Sequence, residues 1–331
     1  MENPRPTRAN QPPAPSAPAL ASAGASVATP DGARAVEATA DPSRENGPTA
    51  ETPAEPEDSP RRTGITRGPM LIVLVFIGIA AAVVLLSQNA QPTADDYIRH
   101  GVDRAEKSHD LAGALDDFNQ ALAIDPNNAQ AYNSRGLVKA DMGDLAGAVE
   151  DYDAAIRLDP KLDQAFYNRG RARRALGDPQ GAVQDFTEVV RLAPAPSNDF
   201  RGAARVASLL ADTYMNRGNA YSDLGDYQAA INDFNEALRN RPNSAEVFNN
   251  LGLAMFKQGD AANAITQYSE AIRYKPDLAQ AHMNRGLARA SLGDRDAALQ
   301  DLQIAAALFQ SQGNAEAGQQ VLQLAQGVQQ Q

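Results

Sequence analysis

The side chains able to do chemistry in this chain are few and badly placed for it. There are three histidines, His100, His109 and His282, and no cysteine. Thiolate nucleophiles, thiolate metal sites and disulfides are therefore excluded, while the redox state of the compartment is left open. The histidines are too scattered to form an imidazole metal site by spacing. Asp151 and Asp153 flank Tyr152, but on a helix side chains at i and i+2 point to different sides, which is poor for a shared metal or a catalytic carboxylate pair. No phosphate-binding glycine loop, dinucleotide fingerprint or His-Glu-x-x-His run occurs. The expectation is a non-enzymatic protein with no cofactor and no small-molecule substrate. One basic cluster stands out, Arg169, Arg171, Arg173 and Arg174. It reads first as a solvated face with ion pairs and second as a binding site for acidic peptide.

The elements that position these residues follow from a period of 34. Gly136 and Gly170 are one period apart, as are Gly218, Gly252 and Gly286, and the step from Gly170 to Gly218 is 34 plus an insertion of fourteen. Ala114, Ala148, Ala182, Ala230, Ala264 and Ala298 keep the rhythm, as do Pro126, Pro160, Pro194, Pro242 and Pro276. A second glycine series, Gly143, Gly177, Gly225, Gly259 and Gly293, is each time followed by Asp. Glycine tolerates the positive φ that ends one helix, and the Asp side chain caps the next. Pro179 follows Asp178 at the favoured first helical position. Small residues let two antiparallel helices approach closely, and Pro stops the second helix. Each unit is a helical hairpin that needs its neighbours to complete a core.

These positions resemble the tetratricopeptide-repeat family, in which a large residue, Gly, Ala, an aromatic, Ala and Pro recur over 34 residues. Repeat two carries Tyr132, Gly136, Ala148, Tyr152, Ala155 and Pro160; repeat five carries Phe248, Gly252, Ala264, Tyr268, Ala271 and Pro276. The fold class expected is all-α: a right-handed solenoid of six hairpins at 94–128, 129–162, 163–196, 211–244, 245–278 and 279–312. Repeat one has Ser108-His109-Asp110 in place of the Gly-Asp turn, and one extra residue there. Repeat six has Gln310 in place of Pro and Leu302 in place of the aromatic. His282 takes the large-residue position of that repeat and reads as a packed side chain. A capping helix is expected over 313–327, with Val321, Leu322 and Leu324 covering the last hairpin. The insertion, 197–210, runs without a breaker into repeat four, so the first helix of that repeat is expected to be overlong.

The resemblance implies that first helices line a concave groove that takes extended peptides or proteins. Its groove position six reads Arg99, Ser134, Asn168, Asn216, Asn250 and Asn284. The four asparagines are candidate partner-binding residues, since each amide can both donate to and accept from a peptide backbone; support of the neighbouring helix is the equal alternative. Arg171, Arg174, Asn219 and Lys257 occupy other groove positions and complete the candidate site, with Gln130, Tyr167, Asn249 and Gln280 nearby. Ile98 and Val102 stand where a chaperone-type carboxylate clamp would need Lys and Asn, so that specialisation is not expected.

The N-terminal part has a different character. Thirteen of 21 prolines fall in residues 1–69, with no aromatic residue among them, so 1–68 is expected to be a disordered arm. Met70 to Leu86 is seventeen residues without a charge, which predicts one transmembrane helix within 69–89 and a linker at 90–93. Arg61, Arg62 and Arg67 precede it, whereas Asp95 and Asp96 follow it before Arg99. By the positive-inside rule a cytoplasmic N-terminus with the repeats on the outer side is expected, and the plan resembles membrane-tethered repeat proteins of bacterial envelopes, which implies a single-pass protein of the inner membrane with periplasmic repeats. From residue 89 onward 23 basic residues face 32 acidic ones, a net charge of -9, so no nucleic-acid partner is expected. The function expected is a membrane-anchored scaffold that assists assembly of an envelope or membrane complex. The alternatives are a transmembrane regulatory adaptor and a periplasmic holdase for unfolded clients.

Overall fold

The structure, a computed structural model, describes residues 91–195 and 199–330. The predicted arm and apolar segment lie outside them, and among the described residues no helix is long and apolar enough to cross a membrane. Thirteen α-helices and no strands are present in these residues. First helices of successive hairpins are α1 (Ala94–Asp103), α3 (Ala129–Asp141), α5 (Asp163–Ala175), α7 (Phe200–Asp223), α9 (Ala245–Gln258) and α11 (Ala279–Ser291). Second helices are α2 (Leu111–Ile124), α4 (Leu145–Leu158), α6 (Pro179–Leu192), α8 (Tyr227–Asn240), α10 (Ala261–Tyr274) and α12 (Arg295–Ser311); α13 (Ala315–Gln330) follows.

The two glycine series have different physical roles. Gly143, Gly177, Gly225, Gly259 and Gly293 have φ between 78° and 100°, a left-handed conformation that ends a helix without a Cβ penalty. The following Asp144, Asp178, Asp226, Asp260 and Asp294 each accept a backbone N–H three residues on, capping the second helix. In the other series, a Cβ added to Gly136, Gly218 or Gly252 would lie 2.6 to 2.8 Å from the ring of Tyr152, Phe234 or Tyr268. Here the missing side chain lets the hairpin close on its aromatic. Gly101 meets Phe118 in the same way; the extra residue of repeat one had hidden it from the periodic series. That residue is absorbed in a π-helical turn over Arg104–Ser108, and His109 takes the left-handed position at φ 51° while Asp110 caps α2. Repeat one thus makes the same turn with a costlier residue.

The core is a strip of alanines and rings between the helices. Ala114, Ala148, Ala182, Ala230, Ala264 and Ala298 are fully buried, as are Phe118, Tyr152, Phe186, Phe234 and Tyr268 to within 1%. From repeat two onward successive first helices touch one another, whereas successive second helices make little contact. The stack is therefore closed on the first-helix side, which makes that side concave. Helix α7 runs for 24 residues, the overlong helix anticipated from the insertion. The last helix buries Val321, Ala325 and Val328, positions that share a face at i, i+4 and i+7. Leu322, expected to cover the last hairpin, instead points away and is 39% exposed; it lies about 100° round the helix from Val321.

Candidate functional site

The asparagine row is engaged within the protein. Asn168 Nδ2 on α5 donates to Asn133 Oδ1 on α3 at 3.0 Å, and Asn216 Nδ2 on α7 donates to the Tyr167 hydroxyl of α5 at 3.0 Å. Asn250 on α9 donates to Asn219 Oδ1 on α7 at 3.0 Å, and Asn284 on α11 donates to Asn249 Oδ1 on α9 at 2.9 Å. Repeats three to six thereby each hook their first helix to the one before it. The acceptor edges are partly used too: Asn250 Oδ1 accepts from Asn249 at 3.2 Å and Asn284 Oδ1 from Gln280 at 3.4 Å. Asn284 is buried, while Asn168, Asn216 and Asn250 are half-buried. Burial pushes the Tyr167 hydroxyl above its usual range, with the Arg171 charge and the Asn216 hydrogen bond acting against it.

The arginine cluster of repeat three is divided by the helix. Arg169 and Arg173 turn towards α6, where Asp185 accepts from Arg169 Nη2 at 2.6 Å and from Arg173 Nη1 at 3.0 Å. Arg174 Nε pairs with Asp223 on α7 at 2.6 Å, a second link between neighbouring first helices. Arg171 is exposed and makes no hydrogen bond or ion pair among the described residues, and the same is true of Lys257. Leu137, Arg171, Asn219 and Leu253 share one register, one per repeat; Leu137 and Leu253 are 37% and 38% exposed. In this strip Leu137, Arg171 and Leu253 are left open by the stack, while Asn219 accepts from Asn250.

The ion pair of repeat three is one of a series that sequence reasoning missed. Arg135, Arg169, Arg217 and Arg285 each fork onto an aspartate sixteen residues later, Asp151, Asp185, Asp233 and Asp301, at distances of 2.6 to 3.2 Å. The remaining guanidinium nitrogen reaches the second helix of the preceding repeat, at Asn119, Asp153, Thr187 and Ser269 respectively. One side chain thus ties three helices together with planar, two-point geometry that Lys could not reproduce. Burial pushes the Asp185 carboxyl upward, opposed by its two arginines. Burial acts the same way on Asp301, but His282, Arg285 and Arg289 prevail and bring it down to about 2. Repeats one and five lack the pair: repeat one has His100 before its packing glycine, and repeat five has Leu251 and Gln267 at the two positions. The signal was present in the sequence: Arg directly before the packing glycine, and Asp directly before the aromatic.

None of this assembles a catalytic or metal centre. His282 is buried, with Nε2 3.0 Å from the Pro276 carbonyl oxygen and Nδ1 3.7 Å from Asp301 Oδ1. Asp151 is taken up by Arg135 and Lys139, and Asp153 by Arg169. Among the described residues no group of three or more His, Asp or Glu side chains could hold a metal ion.

The comparisons agree with this geometry. A model described as "TPR repeat" matches residues 108–143, 136–177, 218–259 and 256–293, and one described as "Tetratricopeptide repeat" matches 164–195. Residues 108–195 and 218–293 are therefore tetratricopeptide repeats. The unmatched gap coincides with the insertion. No curated protein matches the chain. Among solved structures it is similar to PilW, described as a widely conserved type IV pilus biogenesis factor, at 18% identity and a TM-score of 0.58, covering 70% of this chain and all of that one. It is also similar to a tetratricopeptide repeat protein from Parabacteroides merdae, at 19% identity and a TM-score of 0.51, covering 74% of this chain and 89% of that one. At these identities the likeness is one of fold.

Proposed function

We propose that this chain is a non-enzymatic scaffold that holds partner proteins against the concave first-helix face, is anchored by residues 69–89, and assists assembly of a membrane or envelope complex. The observation that carries the reading is the set Leu137, Arg171, Leu253 and Lys257, left open on helices whose asparagines are bonded from one helix to the next. Asn168, Asn216, Asn250 and Asn284 take part chiefly as supports that fix the helices, while Arg171 and Lys257 supply charge and the leucines supply apolar contact. Arg174 is held by Asp223 and orients that part of the face. Assembly work is suggested by the fold shared with a pilus biogenesis factor, and anchoring by the uncharged run Met70 to Leu86 with arginines before it. Anchoring would raise the effective concentration of membrane-bound partners without any new contact.

In-cell crosslinking and affinity capture of the full-length protein, beside the variant Arg171→Glu with Lys257→Glu and Leu253→Asp, tests this reading. Loss of a few defined partners from a variant of unchanged helicity supports it. Identical partners in both samples move the site off this face, and a broad set of weak clients indicates a holdase. A C-terminal reporter active only in the cytoplasm would refute the orientation.

A further inference from the structure

We propose that the N-terminal projection of α7, from Phe200 onward, forms a second docking site, separate from the first-helix strip, for an acidic protein segment that carries a large apolar side chain. Other complete first helices from repeat two onward run 13 or 14 residues, whereas α7 runs 24. Its N-terminal part therefore projects beyond the hairpin by about three turns, roughly 15 Å. Phe200, Arg201, Ala204, Arg205 and Ser208 are the exposed residues of this projection. Their spacing of i, i+1, i+4, i+5 and i+8 places them on one face of the helix. Phe200 is 86% exposed, more than any other large apolar side chain among the described residues. Beside that face lies a cavity of about 370 Å³, walled by Pro194 and Ala195 after α6, Asp163 and Gln164 at the start of α5, and Arg205, Val206 and Leu209 on α7. It has an apolar wall with one cation and one carboxylate beside it.

The projection is fixed rather than loose. Arg241, at the end of α8, forks onto Asp212 at 2.7 and 3.0 Å and donates to Ser208 Oγ at 2.9 Å. A ledge held in this way binds with little ordering cost. The choice of occupant rests on charge. Arg201 and Arg205 make no ion pair or hydrogen bond among the described residues, although the chain beyond residue 89 is strongly acidic. Two unpaired cations beside an exposed ring complement a carboxylate on the helix face, next to a large apolar side chain that takes the hollow, where Asp163 would repel a carboxylate. An anionic membrane fits less well: polybasic attachment uses clusters of about four to eight cations, and a flat lipid surface does not use a cavity.

The test is selection of a displayed library of short random peptides on the full-length protein, followed by fluorescence anisotropy of the enriched peptides. The expected peptides carry Asp or Glu next to Phe, Leu or Met. Their affinity should fall at least about tenfold, 1.4 kcal/mol, in Arg201→Glu with Arg205→Glu and again in Phe200→Ala. It should be unchanged in Arg171→Glu with Lys257→Glu, so failure of this site and failure of the groove reading are separable. Enrichment without an acidic–apolar pattern overturns the proposal, as does binding that tracks the groove variant alone. Vesicles rich in anionic lipid provide the remaining arm: sedimentation with them that depends on Arg201 and Arg205, with no peptide enriched, would make the ledge a lipid contact and refute the assignment.

Discussion

Replacing Asp301 by Asn removes one negative charge and almost no volume. Asp301 is 1% exposed and receives both prongs of Arg285, at 2.9 and 2.8 Å, together with Arg289 at 2.8 Å. The folded carboxyl titrates at about 2 against an ordinary value of 3.8. At about 1.4 kcal/mol per unit, the ionised form contributes about 2.5 kcal/mol at neutral pH. Breaking a buried pair costs about 3–5 kcal/mol when the orphaned charge stays dry; the side chains of Arg285 and Arg289 are 16% and 24% exposed and regain some water, so the lower figure applies. Because the folded value is depressed, this stability is present above the unfolded value and is lost as pH falls towards the folded one. About half of it should be gone by pH 3. Urea unfolding followed by circular dichroism gives the overall effect. Hydrogen exchange on the amides of α11 and α12 gives the local one, which matters because repeat arrays can open in parts. A variant within about 0.5 kcal/mol of the parent, or a difference that stays constant from neutral pH to pH 3, would refute the reasoning.

Substitutions elsewhere in the repeats have their own expected outcomes. Gly252→Val should lower the urea midpoint by the equivalent of about 3 kcal/mol or more, because its Cβ would lie 2.7 Å from the Tyr268 ring; Gly259→Ala at the positive-φ turn should cost only about 1 kcal/mol. His109→Gly should stabilise the protein by up to about 1 kcal/mol in the same assay, since His109 alone among non-glycine described residues has φ above zero. Leu251→Arg and Gln267→Asp should each destabilise when made singly, and the double variant should recover at least about 1 kcal/mol of that loss in a double-mutant cycle. Arg217→Lys should retain helicity yet lose roughly 1–2 kcal/mol, because Lys cannot fork onto Asp233 while also reaching Thr187.

The fold was legible because one constraint repeats. Glycine at positive φ followed by a capping Asp, and glycine facing a ring, are each dictated by local backbone or packing geometry, and both recur at the same step. Gly101 escaped the periodic reading because the π-turn at Arg104–Ser108 shifts its register by one. The site was legible only at the level of the face. Composition cannot say whether an amide meets a peptide or its neighbour, and Asn168, Asn216, Asn250 and Asn284 all donate to the adjacent helix. The Arg–Asp series is present in plain spacing, but in repeat three its arginine lies among Arg171, Arg173 and Arg174, where composition shows only a basic cluster. Helical geometry sends Arg169 and Arg173 one way, Arg174 another, and leaves Arg171 outward.

The amide row acts as a ruler. From repeat two to repeat six each pair of neighbouring first helices is joined by one such bond, so the distance between successive contact positions on the proposed docking face is set before any ligand arrives. A long ligand that touches several repeats must then match that interval in its own sequence. Such a ligand is discriminated by the spacing of its residues as much as by their identity, and a single inserted residue between two of its contacts would put all later ones out of step.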